Sequence, residues 1–287
     1  MNSVDTKNRA IKPFSMANPI NSVVSRVKKA MSGYSKLKEA KQISKHFSDY
    51  LSPVVAASEE NKSTVFNIRH QVYCEELAFE PVKQNEQEKD EFDEFSIHAM
   101  IQHLQTGNYA GTVRVVHPTD ESQQLPIEKY CLHSITDEAL RPSNFSRNDI
   151  CEISRLAVPE RFRRRKSDSF DGAATGAINT TSYSERELRC FPFIAIGLYM
   201  SAASIVIMKN IPHTYVMMEP RLARSMSFLG IKFHKIGPTV DYHGMRAPYY
   251  INPSLLMESL TPAFKKMLHD IQVSIESQKH LLDNERE

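Results

Sequence analysis

Glycine is scarce in this sequence, nine in 287 residues. A dinucleotide fingerprint or a phosphate-cradling P-loop needs closely spaced glycines where backbone approaches phosphate, and neither can be drawn. Long apolar runs are missing as well. Nothing approaches the roughly 18 residues of a membrane-spanning helix, and charges stand where a secretory signal needs an unbroken apolar segment. A cytoplasmic protein is expected. Cys74, Cys131, Cys151 and Cys190 lack the paired spacing of a zinc site, and a chain of this length needs no disulfide staples. They read as reduced thiols filling the core. The eleven histidines fall into no ligand spacing, no Gly-x-Ser-x-Gly elbow occurs, and no cysteine has a nucleophile's sequence context. No metal is expected.

What is present is an uneven distribution of charge. The net charge is +2, yet residues 1–50 hold ten Lys/Arg against three Asp/Glu, a balance of +7, leaving −5 for the rest. Residues 1–52 read as a basic extension. Their loosely spaced apolar residues suit either a solvated, partly disordered tail or an amphipathic segment that contacts anionic lipid. Residues 53–253 read as the folded domain, with residues 160–190 as a flexible insertion, and residues 254–287 as a C-terminal amphipathic helix. Only 54–251 look indispensable.

Within the domain, Thr64–Leu77 carries apolar residues at helical spacing with Arg69 among them. From Glu75 to Glu94, nine carboxylates face Lys83 and Lys89, a composition expected to form a solvated loop, with Asp90 and Asp93 as exceptions. Ser96–Leu104 and Tyr109–His117 read as a hairpin, and Pro126–His133 as a short helix. Pro192–Asn210 is apolar almost all round and reads as a buried helix. A strand over His213–Met218 and a helix over Pro220–Phe228 follow. Ile231–Ile236, Thr239–Tyr242 and Ala247–Ile251 read as short strands, and Pro262 opens a helix with Phe264, Met267, Leu268, Ile271 and Ile275 on one face.

The unusual stretch is Cys151–Pro159. Ile153, Leu156 and Val158 mark a strand entering the core, yet Glu152, Ser154 and Arg155 lie inside it. Burying either charge costs several kcal/mol unless it is paired, so the cluster is a structural ion-pair network or a site. Arg114, flanked by Val113, Val115 and Val116, is a second Arg in an apolar strand. Then come Arg161, Arg163, Arg164, Arg165 and Lys166, a local positive field suited to nucleic acid, a coenzyme phosphate, an acidic carrier protein or plain solvation.

The order Arg69-x-x-x-Tyr73, Phe79, Asp90-x-x-Asp93, Arg114 after Gly111, and Glu152-x-Ser154-Arg155 resembles the charge-cluster signature of acyl-homoserine lactone synthases and N-acyl amino acid synthases. The later segments from Met218 to Arg224, Phe228 to Ile231 and Ile236 to Gly244 resemble the exosortase-associated acyltransferase branch. The resemblance spans about residues 64–251. It implies an α/β, GNAT-type acyltransferase fold, a mixed and mostly antiparallel sheet flanked by helices. It also implies acyl transfer from a thioester to an amine.

On that resemblance Glu152 is the candidate base or amine-orienting group, with Ser154 and Arg155 beside it as catalytic candidates. Arg69, Tyr73, Phe79, Asp90, Asp93 and Arg114 would shape the acceptor pocket, with one arginine of the network left to hold a substrate carboxylate. The amide of Leu156 would meet the thioester carbonyl. The lactone synthases usually place Trp where Phe79 stands, and this chain has no Trp, which favours an amino acid acceptor over S-adenosylmethionine. Arg161 to Lys166 occupy the place of the usual glycine loop, which fits an acyl-phosphopantetheine thioester on an acidic acyl carrier protein, with acyl-CoA as the other donor. No tightly bound cofactor and no nucleic acid partner are expected. The implied function is an N-acyl amino acid synthase at the cytoplasm or the inner face of the membrane. The alternatives are an acyl-homoserine lactone synthase and a non-catalytic basic module that binds nucleic acid or anionic membrane.

Overall fold

Apolar residues alternate along the central strands, and this gives the sheet one dry face and one mixed face. The computed structural model describes residues 44, 45, 47–162 and 192–283. In it, β1 (Leu51–Val55), β2 (Ser96–His103), β3 (Tyr109–Val116) and β4 (Ile150–Ala157) pair antiparallel in that order. β4 then runs parallel to β5 (His213–Met218). The short strands β6 (His234–Lys235) and β7 (Val240–Asp241) pair with β8 (Met245–Ile251), which lies antiparallel to β5. Besides the helical residues 44, 45 and 47–50, the sheet is accompanied by α1 (Glu59–His70), α2 (Pro126–Cys131), α3 (Pro192–Met208), α4 (Pro220–Phe228), α5 (Pro253–Ser259), α6 (Pro262–Glu276) and α7 (Lys279–Asp283). This is the α/β architecture the resemblance implies.

Side chains two apart share a face of a strand. Ala99 and Ile101 of β2, Val113 and Val115 of β3, and Cys151 and Ile153 of β4 therefore join Leu198 and Ile205 of α3 and the apolar face of α6 in one core. Their neighbours Met100, Arg114, Val116, Glu152 and Ser154 point the other way, where α1, α2 and the acidic loop lie. Phe47 and Leu51, and Phe264, Met267, Leu268, Ile271 and Ile275 of α6, belong to the main core. The indispensable span is thus wider than 54–251.

Several boundaries differ from the sequence reading. α1 begins at Glu59 rather than Thr64, because Ser58 Oγ accepts from the Asn61 amide and two glutamates occupy the first turn. It gives way at Gln71 to a π-helical turn over Gln71–Glu76, a widening common at functional sites. The hairpin between β2 and β3 turns through Gly107 at φ 70°. Of Ile231–Ile236 only His234–Lys235 pairs, whereas β8 starts two residues before Ala247, at Met245. The acidic loop is less solvated than its composition suggests, since Glu88 is buried along with Asp93.

The bulk of the basic extension, Arg163, Arg164, Arg165, Lys166, Cys190 and nearly all of the expected insertion lie outside the described residues. Among the described residues, no helix is long and apolar enough to cross a membrane.

Candidate active site

A bulge in β4 builds the site. Arg114 pairs with Ser154 and Thr112 with Ala157, so two steps along β3 match three along β4. The additional residue is absorbed where Arg155 takes φ 50°, a left-handed conformation that costs a non-glycine residue about 1–2 kcal/mol. Strict alternation would send Arg155 to the dry face with Ile153. The bulge turns it instead toward Glu88 and Asp90, as its ion pairs show. On the other edge of β4, pairing with β5 ends at Glu152 opposite Tyr215, although β4 continues to Ala157 and β5 to Met218. The strands part there, and among the described residues the backbone of Ile153–Ala157 has no ladder partner on that side.

Arg69, Arg114 and Arg155 face four carboxylates beside this opening. Arg69 Nε donates to Glu88 Oε2 at 2.5 Å and Nη1 to Asp93 Oδ1 at 2.6 Å. Arg114 Nη1 donates to Asp90 Oδ1 at 2.5 Å and Asp93 Oδ1 at 2.9 Å, and its Nε to Ser154 Oγ at 3.1 Å. Arg155 Nη2 lies 3.1 Å from Glu88, 3.3 Å from Asp90 and 3.4 Å from Glu80. Asp90 and Asp93 also close a capping box on the short 3-10 turn Glu91–Phe95, which fixes both carboxylates.

Burial pushes the Asp93 carboxyl up, but the Arg69 and Arg114 guanidiniums outweigh it and hold the group well below the usual carboxylate range. Glu88 is likewise lowered, since Arg69 and Arg155 outweigh its burial. His98 beside Asp93 is pushed down to about 3, first by burial and then by the neighbouring arginines, so it stays neutral. All three arginines are engaged by carboxylates; none is the spare guanidinium expected for a substrate carboxylate.

Glu152 differs from every carboxylate in this network. It is 2% exposed, and its Oε2 accepts the Ile127 amide of α2 at 2.7 Å. Among the described residues no arginine or lysine forms an ion pair with it, and Oε1 has no hydrogen-bond partner. Burial raises its pKa to about 8, with the Ile127 amide and the more distant Arg114 opposing. Tyr242, pushed up to about 12 mainly by burial, and Cys131, pushed up to about 11 by burial, both feel the Glu152 charge and so border the same space.

The structure brings Arg69, Asp90, Asp93, Arg114, Glu152, Ser154 and Arg155 together on one face of the sheet. Tyr73 joins them from the π-turn: its hydroxyl donates to the Leu156 carbonyl at 2.7 Å, and the Arg155 guanidinium lies over its ring at 5.5 Å. Phe79 stands at the rim, 6.2 Å from the His243 ring. Leu156 is half-buried at the opening, and Arg161 is exposed in a 3-10 turn after β4. Sequence reasoning missed Glu88, Glu80 and His98. The first two were hidden in a charge run, and His98 was passed over among strand residues; the period-two register with Arg114 was the available signal. Among the described residues no cluster of three His, Cys, Asp or Glu side chains could hold a metal ion.

Comparison with known proteins agrees with this fold. A family model described as an acetyltransferase (GNAT) domain matches residues 68–170. Among solved structures, FeeM, an N-acyl amino acid synthase from uncultured soil microbes, superposes with TM-score 0.50 at 13% identity, covering 74% of this chain and 95% of its own. BjaI, a CoA-dependent acyl-homoserine lactone synthase solved with SAM and isopentyl-CoA, gives TM-score 0.51 at 18% identity over 77% of this chain and 88% of its own. TofI, solved with an inhibitor and MTA, gives 0.52 at 16% over 74% and 98%. No curated protein matches the sequence. Residues 68–170 thus match an acetyltransferase (GNAT) domain, and the solved neighbours share the fold of this chain.

Proposed function

We propose that this protein is an acyltransferase that moves a fatty acyl group from an acyl carrier protein thioester to the amine of an amino acid. The observation that carries this reading is Glu152, a buried carboxyl with no ion pair among the described residues, at the point where β4 leaves β5. With its pKa raised to about 8 by burial, it is a base matched to neutral pH. The arginine network beside it is internally paired and serves as a rigid wall of the acceptor pocket.

The thioester enters between the parting strands, where the free backbone edge of Ile153–Ala157 offers amides to its carbonyl oxygen. Tyr73, fixed to the Leu156 carbonyl, holds that edge in place. The acceptor reacts as its neutral amine, the ammonium proton having gone to solvent, and Glu152 takes one proton from the nitrogen as it attacks, directly or through water. The amine nitrogen attacks the carbonyl carbon, the C–N bond forms, and the C–S bond breaks. The departing thiolate receives the proton that Glu152 holds. Arg161 and the bases that follow it in sequence fit an acidic carrier protein.

The test is incubation of the purified protein with acyl carrier protein thioesters or acyl-CoA, and with amino acids or S-adenosylmethionine, read by mass spectrometry. A linear N-acyl amino acid formed faster from the carrier protein is the expected product. A lactone from S-adenosylmethionine would move the assignment to homoserine lactone synthesis. Salt-sensitive polyanion binding without any acylated product would overturn both.

A further inference from the structure

Arg246 is the second residue of β8, outside the charge signature. Its ladder position places it opposite Val240 of β7, while the next residue, Ala247, pairs with Met218 at the end of β5. It therefore sits just beyond the end of the strand from which β4 has parted. Ala247, Tyr249 and Ile251 face the main core, so alternation puts Arg246 with Tyr250 on the face of Glu152, Ser154 and Arg114.

Its surroundings agree with that placement. The guanidinium lies 6.0 Å from the Phe79 ring centroid. Its charge acts on Tyr73 and on Cys131, and Cys131 also feels Glu152. The aromatic rim continues from Phe79 through His243 and Tyr242 to Tyr130, with centroid separations of 6.2, 4.9 and 6.0 Å.

Arg246 contrasts with the three network arginines. Among the described residues it has no carboxylate within ion-pair distance and no hydrogen bond, and its Nε is buried without a partner. A guanidinium is desolvated at a cost unless an anion meets it. Its planar fork matches a carboxylate bidentately.

We propose that Arg246 binds the α-carboxylate of the acyl acceptor, so that the adjacent α-amine is presented to Glu152. The inference rests on the acyltransfer reading above. A free amino acid and S-adenosylmethionine share this α-amino carboxylate, and each forms a separate arm of the test. The rim of Phe79, Tyr242 and His243 would then cover the acceptor's side chain.

The test compares, for wild type, R246K and R246Q, acylation of the best amino acid with acylation of its primary amide, which has the amine without the negative charge. S-adenosylmethionine is run in parallel. Wild type is expected to prefer the acid. R246Q is expected to raise KM for the acid ten- to a hundredfold and to collapse the acid-to-amide ratio of kcat/KM toward one, with R246K between. The arm showing this response identifies the acceptor. A wild-type enzyme indifferent to amidation overturns the proposal without any variant. So does a cooperatively folded R246Q that keeps the wild-type ratio, while acyl transfer itself stands. Absence of acylated product from every acceptor with wild type overturns the acyltransfer reading and this inference together.

Discussion

The Ile127 amide donates to Glu152 Oε2 at 2.7 Å, joining the first turn of α2 to the middle of β4 across 25 residues of chain. This bond holds the carboxyl in place without neutralising it, because an amide carries no net charge. The nearest arginines are consumed by Asp90, Asp93 and Glu88. Glu152 is therefore positioned by one interaction, while another cause, burial, raises its pKa.

Replacing Glu152 with Gln should cut turnover by two to four orders of magnitude, the usual worth of a positioned base. The fold should survive, since Gln keeps an oxygen for the Ile127 amide. Folded Glu152 titrates at about 8 and the unfolded group near 4.5, so between those values the folded state binds the additional proton. Wild type should lose stability as pH rises through that window, and E152Q should not. Chemical denaturation at pH 5 and pH 8 checks the stability, and product formation checks the rate. Undiminished turnover in E152Q would remove Glu152 from the mechanism.

The pH profile of kcat/KM offers a second reading of the same group. Activity should climb with pH through about 8 as the carboxylate appears. The acceptor amine also titrates, so wild type is to be compared with E152Q on one acceptor. The limb due to Glu152 is the part missing from the variant, and superimposable profiles would contradict its role.

Asp93 bridges Arg69 and Arg114 with one oxygen, at 2.6 and 2.9 Å. Substituting Asn leaves both guanidiniums short of a counter-charge in a buried place, a loss of about 3–5 kcal/mol. The Asp93 pKa is lowered by folding, so its stabilisation is present above the unfolded value of about 3.8 and is lost as pH falls below it. Wild type should therefore weaken more than D93N on acidification, and denaturation at pH 7 and pH 3 measures the narrowing gap.

Gly111 lies where β3 approaches the bulge. A Cβ there would stand 2.7 Å from the Ala157 carbonyl and 3.0 Å from Leu198 Cδ1. G111A should destabilise by about 1–3 kcal/mol by wedging β3 from β4. It should also lower kcat/KM, because the strand it displaces carries Glu152 and Arg155. Calorimetry with steady-state kinetics tests both, and a variant matching wild type in both would show that the bulge tolerates movement.

The sequence by itself determined the architecture and which charged side chains share one face of the sheet. Alternation in Val113–Val116 and Cys151–Ser154 dictates which side chains share a face, and a charge inside such a run reveals itself because water is absent there. Spacing also fixed the long helices, whose apolar faces have a period that few other arrangements reproduce.

Tertiary structure decided what periodicity cannot carry. Whether Glu88 is solvated depends on Arg69 and Arg155, brought in from other elements. Arg155 faces the site because a bulge breaks the alternation that sequence alone would assume. No network arginine is left to hold a substrate, while among the described residues Arg246 has no ion-pair or hydrogen-bond partner just beyond the end of β5, marked by nothing in its local sequence. Pattern along the chain fixes burial, but pairing depends on distances between segments that only the folded chain sets.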